Sequence, residues 1–227
     1  MVVLGVDTSG SGASLAVAVG GEIRGCLRPA GANPSRALLA GISRLLADAG
    51  VVAAQLDGLA VAVGPGSFTG LRIGLATVKG LAWAWNKPVA AVSTLEALAR
   101  AVVDRGALLV PVLDARRGQV YTARFTALTG AVTRCDADRA VDPAEAFAVA
   151  GAGAVFCGDG VRRYRALAQQ LVAADAVLVE EDLDLAAQVA LAGTALLGRG
   201  QGGDAAHLNA QYVRQSDAQV HVARPVR

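Results

Sequence analysis

Read from its start, the chain runs through one order of elements twice. Val2 to Val6 is a buried strand ending at Asp7-Thr8-Ser9-Gly10-Ser11-Gly12, Ala13 to Val19 alternates as a second strand, and Glu22 to Leu27 is a third after Gly20-Gly21. Asn33 and Pro34 suit the N-cap and first position of a helix that Gly50 stops, with Leu38, Leu39, Ile42, Leu45 and Leu46 as its apolar stripe. Leu59 to Val63 is a strand, Leu71 to Trp85 a helix and Pro88 to Val92 a short strand; Ser93 with Glu96 then makes a capping box for a helix to about Val103. From Ala107 the order recurs. An apolar strand to Leu113 is closed by Asp114, as the first is by Asp7, and strands follow at Gln119 to Thr126 and near Val132. A helix opens at Asp142-Pro143 with Glu145, and Gly153 to Cys157 is a strand closed by Gly158-Asp159-Gly160. A helix to about Ala173, a strand at Val177 to Val179 and a helix from Asp184 to Leu197 complete the copy. Two βββαβαβα copies imply an α/β protein of duplicated lobes with a cleft between them. The lobes are expected at 1–104 and 105–200, with a tail at 201–227 packing back on them.

A chain of 227 residues can bury roughly 70% of its unfolded surface. The apolar fraction is 54% but aromatics are only 4%, so the core must rest on small aliphatic side chains that let helices approach a sheet closely. A net charge of +2 gives no basic field of the kind nucleic-acid binders usually carry. Cys26, Cys135 and Cys157 are odd in number and widely spaced, which fits neither a disulfide framework nor a metal site. No apolar run reaches the roughly 18 residues needed to span a bilayer, and Met1 leads straight into VVLGV without a basic leader. A cytoplasmic protein with no membrane association is expected.

Two loops carry the chemistry. Gly64-Pro65-Gly66-Ser67-Phe68-Thr69-Gly70 joins a strand to a helix N-terminus, where closely approaching backbone and unpaired N–H groups favour an anion. Its spacing fits neither the dinucleotide fingerprint nor the P-loop, so a phosphate cradle and a bare tight turn both remain open. Asp7, Thr8 and Ser9 end the first strand; that carboxylate can hold hydrated magnesium while hydroxyls and turn N–H groups meet phosphate, or the three form an ordinary Asx turn. No cluster of His, Cys and Asp suits a metal, and no Ser or Cys stands in a nucleophile elbow. His207 and His221 read as solvated.

GVDTSGSGASLAVA, GPGSFTGLRIG, VSTLEALA, LDARRGQVY and AQYVR, in this order and over most of the chain, resemble the marks of the TsaB (YeaZ) family. The resemblance implies a two-lobed fold similar to actin, sugar kinases and the Hsp70 ATPase (the ASKHA fold). It also implies a non-catalytic subunit that partners the TsaD transferase, with TsaE as third member, in forming threonylcarbamoyladenosine beside the tRNA anticodon. The first two helices of the N-terminal lobe would pair with TsaD, or with a second copy in a homodimer. No cofactor is implied for the chain itself; ATP or ADP with magnesium belongs to the complex. Pro34 stands where a histidine often opens the first helix, which weakens any metal site, and Gln119 stands where an acidic residue is common.

The residues fit such a docking role. The second helix is apolar on nearly every side; Ile73 and Val78 join its stripe, Ala76 and Gly80 allow close helix approach, and Trp83 is a natural anchor. With Leu38, Leu39, Ile42, Leu45 and Leu46 these make the expected partner face, although an intramolecular core would use the same side chains. Three rivals stand: an ATPase or phosphotransferase acting alone through Asp7, Thr8, Ser67 and Thr69; a peptidase, for which no nucleophile, base or metal set is present; and a tRNA-binding module using Arg214, Arg224 and Arg227.

Overall fold

A computed structural model describes residues 1–148 and 153–213. The first half comprises β1 (Val2–Asp7), β2 (Ser14–Val19), β3 (Glu22–Leu27), α1 (Pro34–Asp48), β4 (Gly58–Gly64), α2 (Phe68–Trp85), β5 (Val89–Ser93) and α3 (Thr94–Ala101). The second comprises β6 (Leu108–Arg116), β7 (Gln119–Thr122), β8 (Phe125–Leu128), β9 (Ala131–Arg134), β10 (Arg139–Val141), α4 (Pro143–Phe147), β11 (Ala154–Cys157), α5 (Asp159–Arg163), α6 (Arg165–Leu171), β12 (Val177–Val179) and α7 (Leu185–Gly198). The sheets run β3-β2-β1-β4-β5 and β10-β7-β6-β11-β12, with a β8–β9 hairpin added to the second. In each, the first strand pairs antiparallel on one side and parallel on the other, so the duplication read from the sequence is a duplication of topology.

The second half departs from a plain copy. The strand expected over Gln119 to Thr126 is two pieces in one register: Val112 faces Thr122 and Leu109 faces Phe125, which puts Pro111 opposite Ala123 at the break. A proline has no N–H for the ladder, and the chain there turns to other partners, Arg124 giving its N–H to Asp136 and accepting from Cys135. β7 then pairs with β10 and β8 with β9. The helix expected to run to Ala173 is broken at Tyr164 (φ −113°, ψ 29°), where the ring packs beside Leu167 on the Phe147–Phe156 core.

Helix ends follow local chemistry. Asn33, Ser67, Ser93 and Asp142 each accept a first-turn N–H as N-caps. The two acidic residues expected to close capping boxes turn elsewhere: Glu96 pairs with Arg100 and Glu145 with Arg139, each at 2.8 Å.

Each half's last helix lies on the other half's sheet. Leu95, Leu98, Ala99 and Val102 of the α3 segment pack with Leu109, Phe125 and Val155 of the second sheet. α7 covers the first sheet through Ala186, Val189, Ala190 and Ala192 against Val3, Ala16, Ala60 and Ala62. Small side chains make this possible: a Cβ on Gly193 would stand 2.2 Å from that of Ala60. The other face of the first sheet is closed by α1 and α2, whose Leu38, Ile42, Leu45, Leu75 and Val78 meet Leu4, Val6, Leu15 and Val61. Residues 203–213 form a strap along α2, starting where Gly203 and Val89 exchange hydrogen bonds of 2.9 and 3.0 Å. Among the described residues no helix is long and apolar enough to cross a membrane.

Candidate functional site

The β1–β2 turn and the β4–α2 loop meet at the N-terminus of α2, and glycine makes the meeting possible. A Cβ on Gly66 would lie 2.5 Å from the Ser9 carbonyl oxygen, one on Gly70 2.0 Å from that of Thr8, and one on Gly74 2.2 Å from Thr8 Oγ1. The Ser67 N–H donates to the Ser9 carbonyl at 2.7 Å, and Ser67 Oγ accepts from the Gly70 N–H at 3.2 Å. Two donors that a phosphate cradle would offer are thus spent inside the chain. Gly64 faces the strap, where the Gln211 N–H donates to the Val63 carbonyl at 2.7 Å.

Asp7 Oδ1 accepts from Ser9 Oγ (2.6 Å) and the Ser9 N–H (3.0 Å). Asp114 repeats the bond two residues on, accepting from the Arg116 N–H at 2.9 Å. The candidate residues are divided between two hollows. Asp7 and Ser9 line one of ≈ 300 Å³ between the lobes, opposite Gly158 and Asp159. Thr8, Ser67, Thr69 and Gly70 line another of ≈ 390 Å³ beside the start of α1. The two hollows adjoin along Gly10, Ser11, Gly12, Ala13, Pro29 and Ala30.

Burial pushes the Asp7 carboxyl above its ordinary range, against the pull of its two bonds from Ser9; nearby Asp184 adds to the rise and Arg28 opposes it. Asp159 is likewise raised by burial, with the Asp114 N–H pulling the other way. A carboxyl whose folded pKa lies above its unfolded value stabilises the fold fully below the unfolded pKa, and that contribution is lost as pH rises through the folded pKa. Asp7→Asn keeps an acceptor for Ser9 and removes the buried charge. It is expected to raise the melting temperature at pH 7 and to change it little near pH 3, which melts at the two pH values will check.

The ten side chains expected to face a partner also divide. Leu38, Ile42, Leu45, Leu46 and Val78 are at most 6% exposed and belong to the core of their own lobe. This corrects the sequence reading at five of the ten: Leu38, Ile42, Leu45, Leu46 and Val78 face the first sheet of their own lobe rather than a second protein. Leu39, Ala76, Gly80 and Trp83 are exposed and Ile73 is half-buried, with Trp83 at 86%. These spacings of three and four put the α2 residues on one face, with Leu39 on the outer side of the neighbouring α1.

His207 and Cys26 are exposed and Cys157 is buried; burial pushes the Cys157 thiol up to about 12, and partial desolvation together with neighbouring Asp184 does the same for Cys26. No group of three or more His, Cys, Asp or Glu among the described residues is placed to hold a metal ion. His221, Arg214, Arg224 and Arg227 lie outside the described residues. Sequence reasoning missed a cluster in which Tyr212 of the strap lies against Phe68 (ring centroids 5.2 Å) and Arg72 sits 3.9 Å above the Phe68 ring. Its traces in the sequence are Phe68 and Arg72 four apart on the helix and Tyr212 in the tail.

The family described as "TsaD: tRNA N6-adenosine threonylcarbamoyltransferase" matches residues 28–193. The Bacillus subtilis "tRNA threonylcarbamoyladenosine biosynthesis protein TsaB" is 39% identical over 109 residues, covering 48% of this chain and 48% of that protein. The chain thus spans about half the length of the curated relatives it matches. The solved structure "YeaZ from Pseudomonas aeruginosa" is 27% identical, with a TM-score of 0.79 over 93% of this chain and 99% of that one. A ROK hexokinase from Thermus thermophilus, at 14% identity, shares the fold alone, with a TM-score of 0.53 over 87% of this chain and all of its own. The two-lobed ASKHA architecture is common to them.

Proposed function

The chain belongs to the TsaD family, in its TsaB (YeaZ) branch, and from that premise we propose that it serves the formation of threonylcarbamoyladenosine in tRNA as a non-catalytic subunit that docks on TsaD. The observation that carries this reading is the uncovered face of α2. The helix buries Leu71, Leu75, Val78 and Ala82 in its own lobe and leaves Ala76, Gly80 and Trp83 in a row outside. One large apolar side chain, Trp83, left in water on a small-residue helix face suits a partner helix at close range. The same face would serve a homodimer when the chain is alone, and TsaE would join the assembled pair. Nucleotide with magnesium is assigned to the complex, because the N–H donors of Ser67 and Gly70 are already engaged within the chain.

Trp83→Glu combined with Ala76→Arg changes only exposed positions and is expected to leave melting unchanged. It should weaken association with TsaD by 100-fold or more, since central anchors are worth about 2–4 kcal/mol each. The mass of the species formed on mixing the two proteins reads the result. An undiminished complex would remove the interface and, with it, the docking role.

A further inference from the structure

The flank of α2 opposite α1 carries a second surface, between the helix and the strap. Two hollows of ≈ 340 and ≈ 840 Å³ meet there at Lys79, and Trp83, the docking anchor, closes the far end. Arg72 and Lys79 stand two helical turns apart, about 10.5 Å, on this flank, and Lys87 follows just past the Asn86 cap. These cations are unlike most others among the described residues. Arg100, Arg124, Arg139 and Arg162 are held by carboxylates; Arg72, Lys79 and Lys87 have no ion-pair partner among the described residues. They bond neutral groups instead: Arg72 Nε donates to the Tyr212 hydroxyl (3.3 Å), Lys79 Nζ to the Ala206 carbonyl (3.4 Å) and Lys87 Nζ to the Ala54 carbonyl (3.1 Å).

The Arg72 guanidinium is therefore fixed twice, against the Phe68 ring below and by Tyr212 beside it, with its charge uncancelled. Tyr212 is itself 46% exposed. Unneutralised cations in a row along a groove, next to an aromatic and guanidinium surface, match what single-stranded nucleic acid requires: charge for successive phosphates and a flat face for a base. We propose that the groove between α2 and the strap holds a short stretch of single-stranded RNA. Its phosphates lie on Arg72, Lys79 and Lys87, and a base stacks on the Arg72–Tyr212 surface. This surface meets the docking face at Ala76 and Trp83, so a protein partner seated there would form one edge of the groove.

The test uses the full chain alone, with fluorescence anisotropy of a labelled single-stranded RNA about ten nucleotides long, titrated at several salt concentrations. Three phosphate contacts predict a slope of log affinity against log salt of about −2, at about −0.7 per phosphate on a single strand. Lys79→Ala with Lys87→Ala should bring the slope towards about −0.7 and weaken binding at least tenfold at low salt. Tyr212→Ala should weaken binding about tenfold with the slope unchanged, as loss of one stacked base requires. Equal affinity for duplex RNA, or a lysine double variant with the slope and affinity of the parent, would overturn the proposal. TsaD is absent from the measurement, so neither result bears on the docking reading.

Discussion

Val78→Asp is expected to yield no cooperatively folded protein. Val78 is fully buried among side chains of α1, α2 and the first sheet. Removing it forfeits about 1.5–3 kcal/mol of apolar burial, and a carboxylate in its place, with no buried Lys or Arg among the described residues to pair with it, costs several kcal/mol more. The sum approaches the whole stability of an ordinary domain, about 5–15 kcal/mol. Ile42→Asp should act in the same way. The comparison is Trp83→Glu on the same helix: at 86% exposure it removes nothing from the core and should melt like the parent. Circular dichroism and thermal melts of the two α2 variants decide the matter. A Val78→Asp protein with parental melting would show that α2 packs in some other way.

Gly70→Ala is expected to destabilise by about 2–4 kcal/mol, against the intrinsic preference of a helix. Alanine is favoured over glycine in a helix interior by up to about 1 kcal/mol, but a Cβ at this position meets the Thr8 carbonyl oxygen at 2.0 Å, and that oxygen belongs to backbone that cannot swing aside. Overpacking of this kind typically costs about 1–3 kcal/mol and more where the backbone must move. Gly80→Ala is the control on the same helix. Nothing lies within 4 Å of a Cβ there, so propensity acts alone and the variant should gain up to about 1 kcal/mol. Urea titrations of both variants give the signs. A stabilised Gly70→Ala would mean that the two loops do not touch as described.

The strands and caps were legible in the sequence because they answer to local rules. Asn33, Ser93 and Asp142 cap where their side chains and the following residues say they should, and Asp7 and Asp114 revealed the duplication and make matching bonds, although β6 runs on past Asp114 to Arg116. The faces of α2 were not legible. When nearly every position is apolar, periodicity has no contrast, and Val78 in the core and Trp83 in water look alike. The Gly64–Gly70 loop was ambiguous for another reason: a ligand and a neighbouring turn both require the absence of Cβ, and only the coordinates show Thr8 and Ser9 in that space. The break opposite Pro111 and the groove beside Tyr212 depend on residues far apart in the chain.

The crossing over of α3 and α7 sets an order on synthesis. As the ribosome extends the chain, the first five strands emerge with Val3, Ala60 and Ala62 bare on one side, and their cover lies some 120 residues further along, at Leu185–Gly198. A nascent first lobe cannot complete its core from its own residues. It must wait, half-clothed, until Leu185–Gly198 has been made, and any release before Gly198 leaves that sheet open to its neighbours.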